Sequence, residues 1–234
     1  HFTFTVIFLI INIIFIMFSY KKIILSIFLI GFYSLQSASL PDRQINPDTS
    51  TRWVQDVHQK AINRLGEGLY KNSNDVSSIV VDISEQRLYL VKNSIITRSF
   101  PISSSKFGEG GIENSFKTPL GMHEVKDKIG YEVPKNTIFK SRINTKRTAE
   151  IIHNLVDSDD DYVTSRILWL DGLEYGKNKG KGVDSYDRYI YIHGTHEEGL
   201  IGTKASHGCI RMFNDDVINL FNEVEEGTYV LIKA

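Results

Sequence analysis

Hydrophobic and polar positions divide the 234-residue chain into three regimes. Residues 2–35 are apolar almost throughout, interrupted at Ser19-Tyr20-Lys21-Lys22. A polar linker follows from Leu40. Residues 52–69 then carry Trp53, Val57, Ala61 and Leu65 four apart, the spacing of one helix face. From Ser77 the period drops to two: Ile79, Val81 and Ile83 alternate, the chain turns at Glu85-Gln86, and Leu88 and Leu90 alternate again. Asn93-Ser94 turns into residues 95–102, and residues 122–129, 167–170, 189–192 and 229–232 read as further strands. The pattern predicts a mainly β domain over residues 77–234, with a few short helices and a small helical segment before it.

Between the strands the pattern is less regular. Residues 103–121 form a long loop with Gly108, Gly110 and Gly111. Neither Gly-Lys-Ser/Thr nor a helix follows, so it is no phosphate cradle; its length makes it a candidate substrate wall. Residues 130–165 lose the alternation and read as an insertion over the sheet, a candidate cap, with a short helix at 148–156. The acidic run 157–161 has Tyr162 where a calcium loop needs glycine and Leu168 where it needs glutamate, so the expectation is a solvated loop. Residues 176–182, a basic glycine-rich stretch, read as flexible surface that could help hold an anionic peptide. Near the end, Asn214-Asp215-Asp216 is a helix start. Val217, Leu220, Phe221 and Val224 give its apolar face, and Gly227 its end.

Composition narrows the function. Lys plus Arg number 27 against 28 Asp plus Glu; only Lys21 and Lys22 lie in residues 1–39, leaving 25 against 28 in the remainder. Such a balance gives no electrostatic case for nucleic acid. Met17 opens a good export signal, with a basic start at Lys21-Lys22, an apolar stretch over 23–35 and small residues at Ser37-Ala38-Ser39. The expectation is an exported protein of the periplasm or cell envelope, with a signal peptide over 17–39. Residues 1–39 taken whole are the competing membrane anchor, since 2–18 alone are 17 apolar residues. No cysteine follows the apolar stretch, which argues against a lipid-modified N-terminus.

The chemistry concentrates in residues 192–212, I-H-G-T-H-E-E-G-L-I-G-T-K-A-S-H-G-C-I-R-M. Here lie the only cysteine, Cys209, and His193, His196 and His207. A strand over 189–192 would deliver His193 to a sheet end, and Cys209 would sit in a tight loop after Gly208. A cysteine becomes a nucleophile when a base or positive field makes it a thiolate, and a histidine supplies either. The reading is an acyl-transfer site: Cys209 the nucleophile, His193 the base, and the Ser206–Cys209 loop a source of N–H groups for an oxyanion. Arg211 has two readings, a ligand for a substrate carboxylate or an internal tie. Gly194 would let a carbonyl approach the imidazole and set its tautomer. His58, His123 and His153 lie outside this stretch and read as surface or structural residues.

The segment resembles the signature of the L,D-transpeptidases with a YkuD-type catalytic domain: a strand-borne His-Gly, a loop of a dozen residues, then Ser206-His207-Gly208-Cys209-Ile210-Arg211. Residues 79–92, Lys117-Thr118-Pro119-Leu120-Gly121 and Gly227-Thr228-Tyr229-Val230 fit as well, so the resemblance spans about 77–233. It implies a β-sandwich-type domain whose partners are peptidoglycan stem peptides. The enzyme would attack the diamino-acid carbonyl of a tetrapeptide stem, release D-alanine, and pass the acyl group to an amine on another stem or on a wall-anchored lipoprotein. It also implies no cofactor or metal, acylation by carbapenems, and a loop-shaping role for His207. Water as acceptor would make the protein an L,D-carboxypeptidase, and no residue decides between the two. A remoter alternative is a metal-binding module using His193, His196, His207 and Cys209; a wall-binding protein with a decayed site is disfavoured by the intact Cys209, His193 and Arg211.

Overall fold

The computed structural model describes residues 77–234, and the expected export segment, linker and first helix lie outside them. Ten strands follow: β1 Ser77–Asp82, β2 Arg87–Lys92, β3 Ile95–Ser103, β4 Gly121–Ile129, β5 Thr137–Lys140, β6 Ile143–Thr148, β7 Val163–Gly172, β8 Tyr191–Thr195, β9 Ile210–Met212 and β10 Tyr229–Lys233. One α-helix, α1 (Asn214–Glu223), and a 3-10 turn at Glu198–Leu200 complete the described residues.

The strands form one sheet in the order β4-β10-β1-β2-β3-β9-β8-β7-β5-β6, and a further pairing of β4 with β7 brings the sheet back on itself. Two inward faces therefore share one core. It contains Ile79, Val81, Leu88 and Leu90 from the first hairpin, Leu168, Ile192 and Ile210 from β7–β9, and Val217, Leu220 and Phe221 from α1. The mainly β, sandwich-type expectation is met because the period-two residues of 77–102 turn to that core, as alternation requires when one face is buried.

Three local expectations are corrected. No helix forms at 148–156. β6 runs to Thr148, and beyond it the backbone bonds to distant partners: Ala149 N–H to Asn136 O at 2.8 Å and Ile152 N–H to His196 O at 2.7 Å. These tertiary bonds replace the ladder a short helix would have made, overriding weak propensity. Residues 176–182 are not a free surface loop. Asn178 is fully buried and donates to Leu120 O and Met122 O, while Lys177 and Lys179 pair with Glu174 and Asp171. At α1, Phe213 holds the cap position without a side-chain bond, and Asn214 lies inside the helix with its side chain turned inward. Asp215 and Asp216 do occupy the first turn, where the helix dipole favours acids.

Candidate active site

Register decides which side chains meet. In β7–β8, Leu168 pairs with Ile192 and Ile167 with His193; in β8–β9, which are parallel, Ile192 pairs with Ile210 and His193 with Arg211. Paired residues share a face, and the next pair along takes the other. Leu168, Ile192 and Ile210 therefore face the core, and Ile167, His193 and Arg211 face outward. One step back, Trp169 pairs with Tyr191, whose N–H donates to Cys209 Sγ at 3.4 Å. Cys209, the residue before β9, packs against Ile167, Trp169 and Tyr191 on the outer face that also carries His193.

His193 lies in the middle of β8, not at a strand end as expected, and is buried. Its Nδ1 is 2.7 Å from Gly194 O. A carbonyl only accepts, so Nδ1 carries the proton and Nε2 is left as the basic nitrogen. Gly194 is needed for space: a Cβ there would lie 2.5 Å from Asn214 Oδ1 and 2.8 Å from Thr164 O. That Asn214 amide ties the start of α1 to the site, accepting from Thr164 and Ser165 hydroxyls at 2.6 Å and donating to Thr195 O at 2.7 Å. Beside it, β7 breaks register between Thr164 and Ile167, with Ser165 at φ +61°. Bulges of this kind often re-aim strands beside functional sites.

Cys209 is half-buried. Its thiol donates to Tyr189 O at 3.3 Å and accepts from Tyr191 N–H. Burial pushes the thiol up to about 12, and burial likewise drives His193 down to about 4. Both shifts favour the uncharged form of each group.

Around Cys209 the turn is held from within. Ser206 Oγ donates to Cys209 O at 2.6 Å and accepts from Gly208 N–H at 3.3 Å. Gly208 has φ +122°, a conformation that disfavours any side chain. The long loop 103–121 packs on this turn: Lys106 N–H donates to Ser206 O, and the Phe107 and Phe116 rings lie 5.7 and 6.1 Å from the His207 ring. Opposite, the β5–β6 hairpin reaches over the aromatic row. The Arg142 guanidinium sits 4.6 Å from the Trp169 ring and 4.8 Å from that of Tyr189, and donates to Tyr191 Oη at 3.3 Å. The insertion thus lies over the aromatic row through Arg142.

Of the two readings of Arg211, its ion pairs favour the internal tie. Arg211 is almost wholly buried and pairs with Glu197 Oε2 at 2.7 Å and Asp161 Oδ1 at 2.8 Å. Asp161 also meets His207 Nδ1 at 3.0 Å. The acidic run is therefore not simply a solvated loop, because its last residue is a ligand of the site. His196 and Glu197 are buried; His196 Nε2 meets Ser158 Oγ at 3.0 Å and its ring packs on Tyr162. Among the described residues, no three His, Cys, Asp or Glu side chains are grouped to hold a metal ion. His123 is buried between Gly121 O and Ser185 Oγ, and His153 is exposed, both away from the thiol. Sequence reasoning missed Asp161, Glu197 and Arg142. Asp161 and Arg142 come from other segments, and Glu197, although inside residues 192–212, carries no signal of its pairing with Arg211.

Fold and site together define a mainly β domain that displays a cysteine and a histidine on the outer face of adjacent strands. The chain belongs to the YkuD family, the L,D-transpeptidase catalytic domain, whose family model matches residues 77–232. A relative from Salmonella typhimurium, "Probable L,D-transpeptidase ErfK/SrfK", is 26% identical over 156 residues, 66% of this chain and 43% of that protein. "Putative L,D-transpeptidase YqjB" of Bacillus subtilis is 50% identical over 52 residues, 22% of this chain and 28% of that protein. Both matches span less than half of the relative's length. Among solved structures, an L,D-transpeptidase from Mycobacterium smegmatis aligns with TM-score 0.41 and 18% identity, covering 68% of this chain and 59% of that one.

Proposed function

We propose that the protein is an exported peptidoglycan L,D-transpeptidase with Cys209 as nucleophile and His193 as base. The observation that carries this reading is the shared outer face of Cys209 and His193, with the Gly194 carbonyl leaving His193 Nε2 free to take a proton. The resting thiol is neutral, so deprotonation accompanies attack. Cys209 Sγ bonds to the diamino-acid carbonyl carbon of a tetrapeptide stem while its proton passes to Nε2. The Gly208 amide is already engaged by Ser206, which leaves the Cys209 N–H as the proposed oxyanion donor from this turn. His193 then returns the proton to the departing D-alanine nitrogen, and a thioester remains. An amine of a second stem, or of a lipoprotein lysine, attacks the thioester, gives its proton to His193 and restores the thiol.

Arg211 serves as an internal tie in this scheme, because both of its ion-pair partners belong to the protein. Gly194 supplies room, while Ser206, His207 and Gly208 shape the turn. Export rests on the sequence signal over residues 17–39; no helix among the described residues is long and apolar enough to cross a membrane. Incubation of the protein with tetrapeptide-bearing muropeptides, followed by mass analysis, tests the reading. Cross-linked dimers lacking one D-alanine are the expected product. Tripeptides alone would make it an L,D-carboxypeptidase, and unchanged substrate would overturn the proposal.

A further inference from the structure

The geometry points to Asp161 as a positioning residue for the reaction, a carboxylate that clamps the nucleophile's turn on both sides and supplies the counter-charge for protonated His193. The inference rests on the reading of Cys209 and His193 given above. The clamp is visible in the partners. Asp161 Oδ2 lies 3.0 Å from His207 Nδ1, two residues before Cys209, and Oδ1 lies 2.8 Å from Arg211 Nη2, two residues after it. One side chain from a remote segment therefore holds both flanks of the turn.

That segment is itself fastened. Ser158 N–H and Oγ both donate to Glu197 Oε1, at 2.5 and 2.7 Å, and Lys106 pairs with Asp157 at 2.8 Å. On the far side of His207 stand Phe107 and Phe116, so the imidazole is held between two rings and a carboxylate. His207 thus acts through its fixed position, with Nδ1 committed to Asp161.

The charge count gives the second half of the argument. Arg211 is paired with His193 in the β8–β9 register and would by itself oppose a proton on that imidazole. It is met by two carboxylates, Glu197 and Asp161. One of them neutralises the guanidinium, and the other leaves a net negative charge beside His193. His193 and Arg211 are buried while Asp161 is partly exposed, and the charge favours the imidazolium that forms as Cys209 attacks; the coupling has the expected sign on both partners. Glu197 alone would leave a neutral pair with Arg211. The excess charge is the contribution of Asp161.

The test uses the full chain and acylation by a chromogenic β-lactam, with the thermal midpoint measured alongside. Asp161→Asn keeps the shape and removes the charge. Its maximal acylation rate at neutral pH should fall roughly tenfold for each pKa unit by which His193 is weakened as an acceptor, with little change in the half-saturating β-lactam concentration. Asp161→Ala opens a space beside Arg211 and His207, and added formate should restore part of its rate without restoring Asp161→Asn or moving the midpoint. This rescue remains decisive if the Asn variant folds poorly. An Asn variant within twofold of wild type, or an Ala variant that formate does not rescue, would overturn the role of Asp161. A wild-type chain that never forms an adduct at Cys209 would instead remove the underlying enzymatic reading, and the inference with it.

Discussion

On the inner face of strands β7–β9, Leu168, Ile192 and Ile210 are fully buried among other apolar side chains, and each can be understood from burial alone. One residue away, the outer face of the same strands holds Cys209, His193 and Arg211, two of them equally hidden from solvent. Burial stabilises the inner set by removing apolar surface from water. On the outer set the same burial acts as a constraint: it keeps the thiol and imidazole neutral and obliges Arg211 to find two acids. The inner face needs only suitable volume, whereas the buried charge of Arg211 on the outer face needs counter-charges brought by other parts of the chain. Substitutions on the two faces should therefore fail differently.

The largest expected effect is at Cys209. Cys209→Ala should show no adduct by intact-mass measurement after carbapenem treatment, while its thermal midpoint stays near that of wild type. An adduct that persists would mean the nucleophile lies elsewhere. His193→Ala comes next, with acylation expected to fall by ~10²–10⁴, the range for loss of a general base. His207→Gln should retain more activity than His193→Ala at every pH, since it disturbs a turn and removes no proton acceptor; the opposite ranking would assign the base to His207.

The inner face should lose stability and keep its chemistry. Ile192→Ala is expected to cost ~2–5 kcal/mol in denaturant unfolding, yet the fraction still folded should acylate at nearly the wild-type rate. A proportionate loss of chemistry would show that the two faces are coupled. Gly208→Ala should be milder, about 1–3 kcal/mol for a residue forced into an unfavourable backbone region, with acylation slowed by a displaced turn.

The smallest effect is on stability against pH. His193 and His123 have folded values near 4 against an ordinary 6.5, so between those limits the unfolded chain takes up protons that the folded chain refuses. Stability from this source is full above about pH 6.5 and is lost as the pH falls toward 4. Asp216, raised to about 6 by burial and then by its acidic neighbours Asp215 and Glu198, works in the other direction below pH 6. Two histidines against one aspartate leave a net loss of ~1.4 kcal/mol per pH unit, to which His196, also lowered by burial, adds; the loss is measurable as a falling midpoint in chemical denaturation between pH 6 and 4.5. A midpoint that rises there would show that at least one histidine titrates normally.

The sequence alone determined the regular part of the fold and singled out the proposed reacting pair. Alternation over 77–102 and the apolar helix stripe from Val217 to Val224 were readable because each element buries one face, and a face leaves a period. Cys209 and His193 were readable because they lie 16 residues apart in a compact motif. Tertiary structure decided everything that depends on partners from other segments. The absent helix at 148–156, the buried Asn178 and the double ion pair of Arg211 are set by contacts across the chain, which carry no period. It also sets the protonation preference: removal of water from Cys209 and His193 pushes the thiol up and the imidazole down, so each favours its uncharged form.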